Sequence, residues 1–247
     1  MYVTAASLFV VGFFAAAGCA GDGAGDGAGG DYPILPGTSG DPGGYAGSPV
    51  LRGRVCVATD LRNFGTCAET GAGGLAVSAG GASAITDDDG RFELSRDAVQ
   101  GRDLDLMVTG PGVIPTFNSF SPSAAPVVTA IDADVYAREL ASNGVLLPED
   151  TGAILGRVVG GMGPARGIGV TSAPTSPFGP FYDGTSGGAD VFTRDRTGAR
   201  GVFFVPGLAA GTAQLTFRDA AMSGETIVNG VMVRNGGITI LDSVTLP

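Results

Sequence analysis

The sequence predicts an all-β protein built as two tandem β-sandwich modules joined by a short helix, and three observations lead there. Glycine and proline, at 44 and 15 of 247 residues, make up more than a fifth of the chain while 44% of residues are hydrophobic, a mixture that serves short strands and many turns. Apolar and polar residues alternate in short runs, the period of half-buried strands. The same order of runs also returns about a hundred residues later, which is the mark of an internal repeat.

The amino terminus comes before any of these elements. Ala5 to Ala17 form an apolar run ending in Ala16-Ala17-Gly18-Cys19, followed at once by a stretch of Gly, Ala and Asp. The run is shorter than the ~20 apolar residues of a membrane span and reads as a secretion signal over residues 1–18. Small residues directly before a cysteine resemble the bacterial lipobox, although Ala16 stands where that motif prefers leucine. The resemblance implies that Cys19 becomes the first mature residue and carries a lipid, anchoring the chain to a membrane. The expected location is the bacterial cell envelope, as an outer-membrane lipoprotein facing the periplasm or the cell surface. Residues 19–48, dominated by Gly, Asp, Pro, Ser and Ala, have too few apolar side chains to fold alone and read as a disordered, flexible tether.

Module 1 is expected over residues 49–131. Strand patterns run through Val50 to Val57, Gly74 to Ala79, Arg91 to Leu94 and Asp103 to Thr109. Thr86-Asp87-Asp88-Asp89-Gly90 supplies turn chemistry before the third, since Asp side chains bond nearby amides and glycine accepts positive φ; a tight hairpin is expected there. A helical connector over 132–150 is read from Asp132 to Ala141, with Asp132 or Asp134 able to cap it and Asn143-Gly144 able to stop it. Module 2, residues 151–247, repeats the order in Ile154 to Val159, Gly167 to Thr171, Gly201 to Val205 and Thr212 to Arg218. Two final runs, Gly230 to Arg234 and Ile238 to Leu246, flank Asn235-Gly236, a hairpin signal.

Gly53-Arg54-Val55, Gly74-Leu75-Ala76-Val77 and Thr86 to Phe92 together resemble carboxypeptidase regulatory-like domains. The resemblance covers residues 50–109 and, more loosely, 153–247, where Gly156-Arg157-Val158 and Gly167 to Val170 match but Thr193 to Gly201 stands in for the compact turn. It implies that each module is a transthyretin-like Greek-key sandwich and that neither carries catalytic machinery of its own.

Composition narrows the chemistry. With no histidine there is no imidazole base and no His-ligated zinc, and with no lysine there is no Schiff base or P-loop amine. A net charge of −10 argues against nucleic acid. No cofactor is expected. Once Cys19 is assigned to lipid, Cys56 and Cys67 are left as an even pair in an oxidising compartment, and a disulfide between them is expected. Asp87, Asp88 and Asp89 are read as a structural turn and not as a calcium loop, because no glutamate follows at the twelfth position. Phe178, Phe181 and Tyr182 lie in a proline-rich loop. They either cover the open end of module 2 or, as a candidate ligand site, stack on sugar or grip a protein. Two functions stay open: a structural or protein-interacting envelope module, and a carbohydrate-binding surface module whose partner would be an envelope polysaccharide.

Overall fold

Strand formation follows the alternating runs through both halves of a computed structural model, which describes residues 50–68, 72–95, 104–120, 126–184, 192–219 and 224–246. The expected signal peptide, the expected lipidation site Cys19 and the expected tether lie outside the described residues. The first half holds β1 (Val50–Ala58), a 3-10 turn (Leu61–Asn63), β2 (Ala76–Ala79), β3 (Ala82–Ile85), β4 (Arg91–Ser95), β5 (Leu104–Thr109), β6 (Val113–Ile114), β7 (Thr116–Phe120) and β8 (Val127–Asp132). Helix α1 (Ala133–Ser142) leads to β9 (Thr151–Gly160), β10 (Gly163–Pro164), β11 (Ile168–Ala173), β12 (Phe181–Tyr182), β13 (Val202–Ala209), β14 (Gly211–Asp219), β15 (Glu225–Val233) and β16 (Ile238–Thr245).

The repeat read from the sequence is a repeat of topology. β1 pairs antiparallel with β4 and parallel with β8; β9 does the same with β13 and β16. Opposite them lie β2–β5–β7 in the first half and β11–β14–β15 in the second, all antiparallel. Each half is a Greek-key sandwich with its own core. Val55, Leu75, Val77, Phe92, Leu106 and Val128 fill the first, and Ile154, Val170, Phe203, Leu215, Phe217 and Val231 the second.

One glycine per half makes the central strand fit. Gly53 faces Phe92 across β1–β4 and Gly156 faces Phe203 across β9–β13. A Cβ on Gly53 would run into the Phe92 ring, and one on Gly156 would lie 2.5 Å from the tip of Phe203. The glycine of each Gly-Arg-Val motif therefore leaves room for a buried aromatic ring to lie over the backbone.

The halves share a sheet and a third core. β16 lies parallel between β9 and β7, with Ile238 opposite Thr116 and Ile240 opposite Asn118, so one sheet runs without interruption from β12 to β3. β9, β13 and β16 bury residues on both faces. Their far side, through Leu155, Phe204 and Ile240, meets Leu61, Phe64 and Val135. Helix α1 begins where the sequence places it: the Asp132 carboxylate accepts from the amides of Asp134 and Val135, each at 2.9 Å.

Two expected hairpins are corners instead. The turn at Asp87–Gly90 carries the chain from β3, paired with β2, to β4, paired with β1 in the opposite sheet. Asn235-Gly236 does make a turn, with Gly236 at φ 65°, but β15 pairs with β14 while β16 joins the other sheet. Backbone bonds from Gly236 to Thr151 O at 2.9 Å and from Ile238 to Pro115 O at 2.9 Å draw β16 away. Burial of Ile238 and Ile240 between the halves outweighs the local hairpin preference.

Candidate functional site

The most elaborate polar construction in each half is the corner that closes its sandwich, and it is the same corner twice. In the first half the buried Thr86 hydroxyl donates to Ala72 O and accepts from Leu75 N at 2.8 Å. In the second, Thr197 donates to Ala165 O at 2.8 Å and accepts from Ile168 N at 2.9 Å. Four residues on, Gly90 (φ 77°) accepts from Val55 N at 2.7 Å, and Gly201 (φ 68°) accepts from Val158 N at 2.8 Å. Thr197 to Gly201 is thus the counterpart of Thr86 to Gly90, spaced identically, although the sequence reading found no compact turn there.

The two corners differ in which carboxylate holds them. Asp87 Oδ1 accepts from the amides of Asp89 at 3.0 Å and Arg91 at 2.7 Å. The residue at that position in the second half is Gly198. Its place is taken by Asp183, from the loop after β12, whose oxygens accept from Gly198 at 2.6 Å, Arg200 at 2.7 Å and Val202 at 3.1 Å. A Cβ on Gly198 would collide with Gly184 O, so glycine there and aspartate on the neighbouring loop form one device. Nothing close to Asp183 along the chain marks it for this role. The signal available was a turn with the Thr and Gly of its twin but without an acid.

Asp87 is therefore occupied by the backbone, and Asp89 by Arg91, whose Nη1 lies 2.8 Å from it. Among the described residues no group of three or more His, Cys, Asp or Glu side chains is placed to hold a metal.

Cys56 and Cys67 form the disulfide that their parity predicts, with Cα atoms 4.8 Å apart. Within the loop it closes, Leu61 and Phe64 plug the third core. The Arg157 guanidinium sits 5.0 Å from the Phe64 ring centroid. Beside this plug Arg62 pairs with Asp60 at 2.9 Å. Burial lifts the Glu139 carboxyl above its ordinary pKa; Arg62 and Arg138 pull it down, and Asp60 adds to the rise.

The aromatic loop does not form an exposed platform, which corrects its candidacy as a ligand site. Phe181 and Tyr182 are buried, at 1% and 2% exposure, and Phe178 is half-buried against the third core. The Tyr182 hydroxyl accepts from Val170 N at 2.8 Å and donates to Val170 O at 3.3 Å. The rings cover the end of module 2, and the plane of aromatics on which carbohydrate recognition was to rest is absent from this loop.

An open groove remains beside β15. A cavity of about 370 Å³ is lined by Thr226, Val228, Leu241, Asp242 and Val244. It shares Ser119, Val228 and Leu241 with a neighbour of about 290 Å³. Partial burial raises the Asp242 carboxyl pKa, and Arg157 lowers it from a distance. Among the described residues no helix is long and apolar enough to cross a membrane.

The chain matches no protein-family model and no curated protein. Among solved structures it is similar to the minor pilin of the Gram-positive pathogen Streptococcus agalactiae, at 14% identity and TM-score 0.25, covering 81% of this chain and 97% of that one. It is also similar to the Bacillus anthracis TIE protein, at 12% identity and TM-score 0.24, covering 78% of this chain and 33% of that one.

Proposed function

We propose that this protein is a non-catalytic bacterial envelope lipoprotein. In this reading two carboxypeptidase regulatory-like, transthyretin-type modules, anchored through Cys19 and raised on the 19–48 tether, form one unit for structural or protein-interaction work at the cell envelope. The observation that carries the reading is the fusion of the repeats. A shared sheet and a third core join them, and the distinctive acids and hydroxyls serve the corners. The Cys56–Cys67 bridge supports export, because disulfides persist in oxidising compartments.

The test is Cys19→Ala. The wild-type chain is expected to incorporate radiolabelled fatty acid and to partition into the detergent phase, whereas the variant is released to the aqueous phase. If the variant stays in detergent without label, the lipoprotein reading fails.

A further inference from the structure

The two halves treat one pair of equivalent edges differently. By pairing, β7 in the first half corresponds to β15 in the second: each is joined antiparallel on one side, to β5 or to β14. The other edge of β7 takes three residues of β16 in parallel, Ile238 to Ile240 against Thr116 to Asn118. The other edge of β15 has no strand among the described residues.

That edge is defended in part, by Glu225 at its start, which pairs with Arg218 at 2.6 Å, and by the register shift between β14 and β15. Edge strands usually deter pairing with charges or proline, yet β15 presents Ile227 and Met232 outward at 51% and 39% exposure. By contrast, the outer edge of β8 is covered, because Asn118 exchanges bonds with Thr129 O at 2.8 Å and Thr129 N at 3.0 Å. The Met232 end of β15 is held likewise, its carbonyl accepting from Thr239 Oγ1 at 2.6 Å. Among the described residues no strand is seated on the outer edge of Glu225 to Val228, beside the 370 Å³ groove. In the neighbouring 290 Å³ cavity Asp105 is held by Ser119 at 2.9 Å and by Arg234 at 3.6 Å. Asp242, which lines the groove, makes no ion pair within 4.0 Å among the described residues, although the Arg157 charge acts on it.

We propose that β15 is a strand-docking site. An extended segment of a partner protein would lie parallel to Glu225–Val228 as β16 lies parallel to β7, with apolar residues at alternate positions and an Arg or Lys facing Asp242. A groove of this size takes the side chains of one strand and not a second sheet, which would stand about 10 Å away. Main-chain bonds give such pairing its affinity and alternate side chains its selectivity. This deepens the interaction role proposed above and rests on it.

The probe is a fluorescein-labelled peptide of β16 sequence, residues 237–245, with Asp242 replaced by Arg in the peptide. Titrated with the detergent-solubilised full chain, it is expected to give saturable polarisation and to slow hydrogen exchange at Thr226 to Val228. Ile227→Lys should weaken binding at least about tenfold. Asp242→Arg should abolish binding of the Arg peptide and restore binding of the unaltered Asp peptide, which guards against a folding defect in either variant. No saturation up to about 1 mM, where binding is worth little, overturns the site, as does equal binding to both variants. Self-association of the chain that Ile227→Lys abolishes would assign the edge to a second copy and also overturn it. Any of these failures, with Cys19 still lipidated, rejects the groove alone and leaves the envelope reading standing.

Discussion

The repeated corner allows backbone strain and steric crowding to be separated within one molecule. Gly74 and Gly90 both hold positive φ, 74° and 77°, as do their counterparts Gly167 and Gly201, at 77° and 68°. Around Gly74 and Gly167 a Cβ would find open space. At Gly90 it would lie 2.7 Å from Ala72 Cβ and 2.9 Å from Val55 O; at Gly201 it would strike Val158 O and lie 3.2 Å from Ala165 N. Gly74→Ala and Gly167→Ala should therefore cost only the left-handed backbone penalty, about 1–2 kcal/mol. Gly90→Ala and Gly201→Ala add overpacking against fixed backbone, about 1–3 kcal/mol more. For a chain of this size about 3 kcal/mol lowers Tm by roughly 6–12 °C, so scanning calorimetry or urea denaturation resolves the pairs. Asp88→Ala is the control, with an expected change within about 0.5 kcal/mol. Equal shifts for the open and crowded glycines, or a larger shift for Asp88→Ala, would refute the reasoning.

Three further outcomes follow from the same geometry. Asp183→Ala leaves the amides of Gly198, Arg200 and Val202 without their carboxylate and should cost about 2–4 kcal/mol, more than Asp87→Ala at about 1–2; equal urea midpoints for the two variants would sink the claim that the number of amides held sets the cost. Replacing Cys56 and Cys67 with serine together should cost about 2–3 kcal/mol from the closed loop and loosen Leu61 and Phe64; an unchanged denaturation midpoint relative to the oxidised wild type counts against it. Glu139 is an acid whose pKa burial raises, so it binds its proton more tightly folded than unfolded. Its contribution is full below its ordinary pKa and is lost as pH rises through the folded value. Glu139→Gln should flatten that decline and raise stability at neutral pH relative to wild type, and an unaltered slope across the mildly acidic range would contradict it.

Local pattern and residue counts were enough for the all-β class, the repeat, the helix with Asp132 or Asp134 as its cap, the cysteine pairing and the positive-φ glycine of the first corner. These depend on neighbours close along the chain or on residue counts: alternation sets a strand face, a carboxylate reaches amides two or three residues away, and two cysteines left in an oxidising compartment have each other. The tertiary structure alone decided which strands share a sheet. Asp87–Gly90 and Asn235-Gly236 have the local chemistry of hairpins, yet β4 and β16 bury more apolar surface by crossing to the other sheet. The same limit hid Asp183, which does at a distance what Asp87 does locally, and it left open whether Phe181 and Tyr182 cover the end of module 2 or face a ligand, because their exposure depends on a core built from both halves. The open edge of β15 belongs to the same class, because a strand pattern looks alike whether or not another strand lies beside it; only the assembled sheets show which edge is filled.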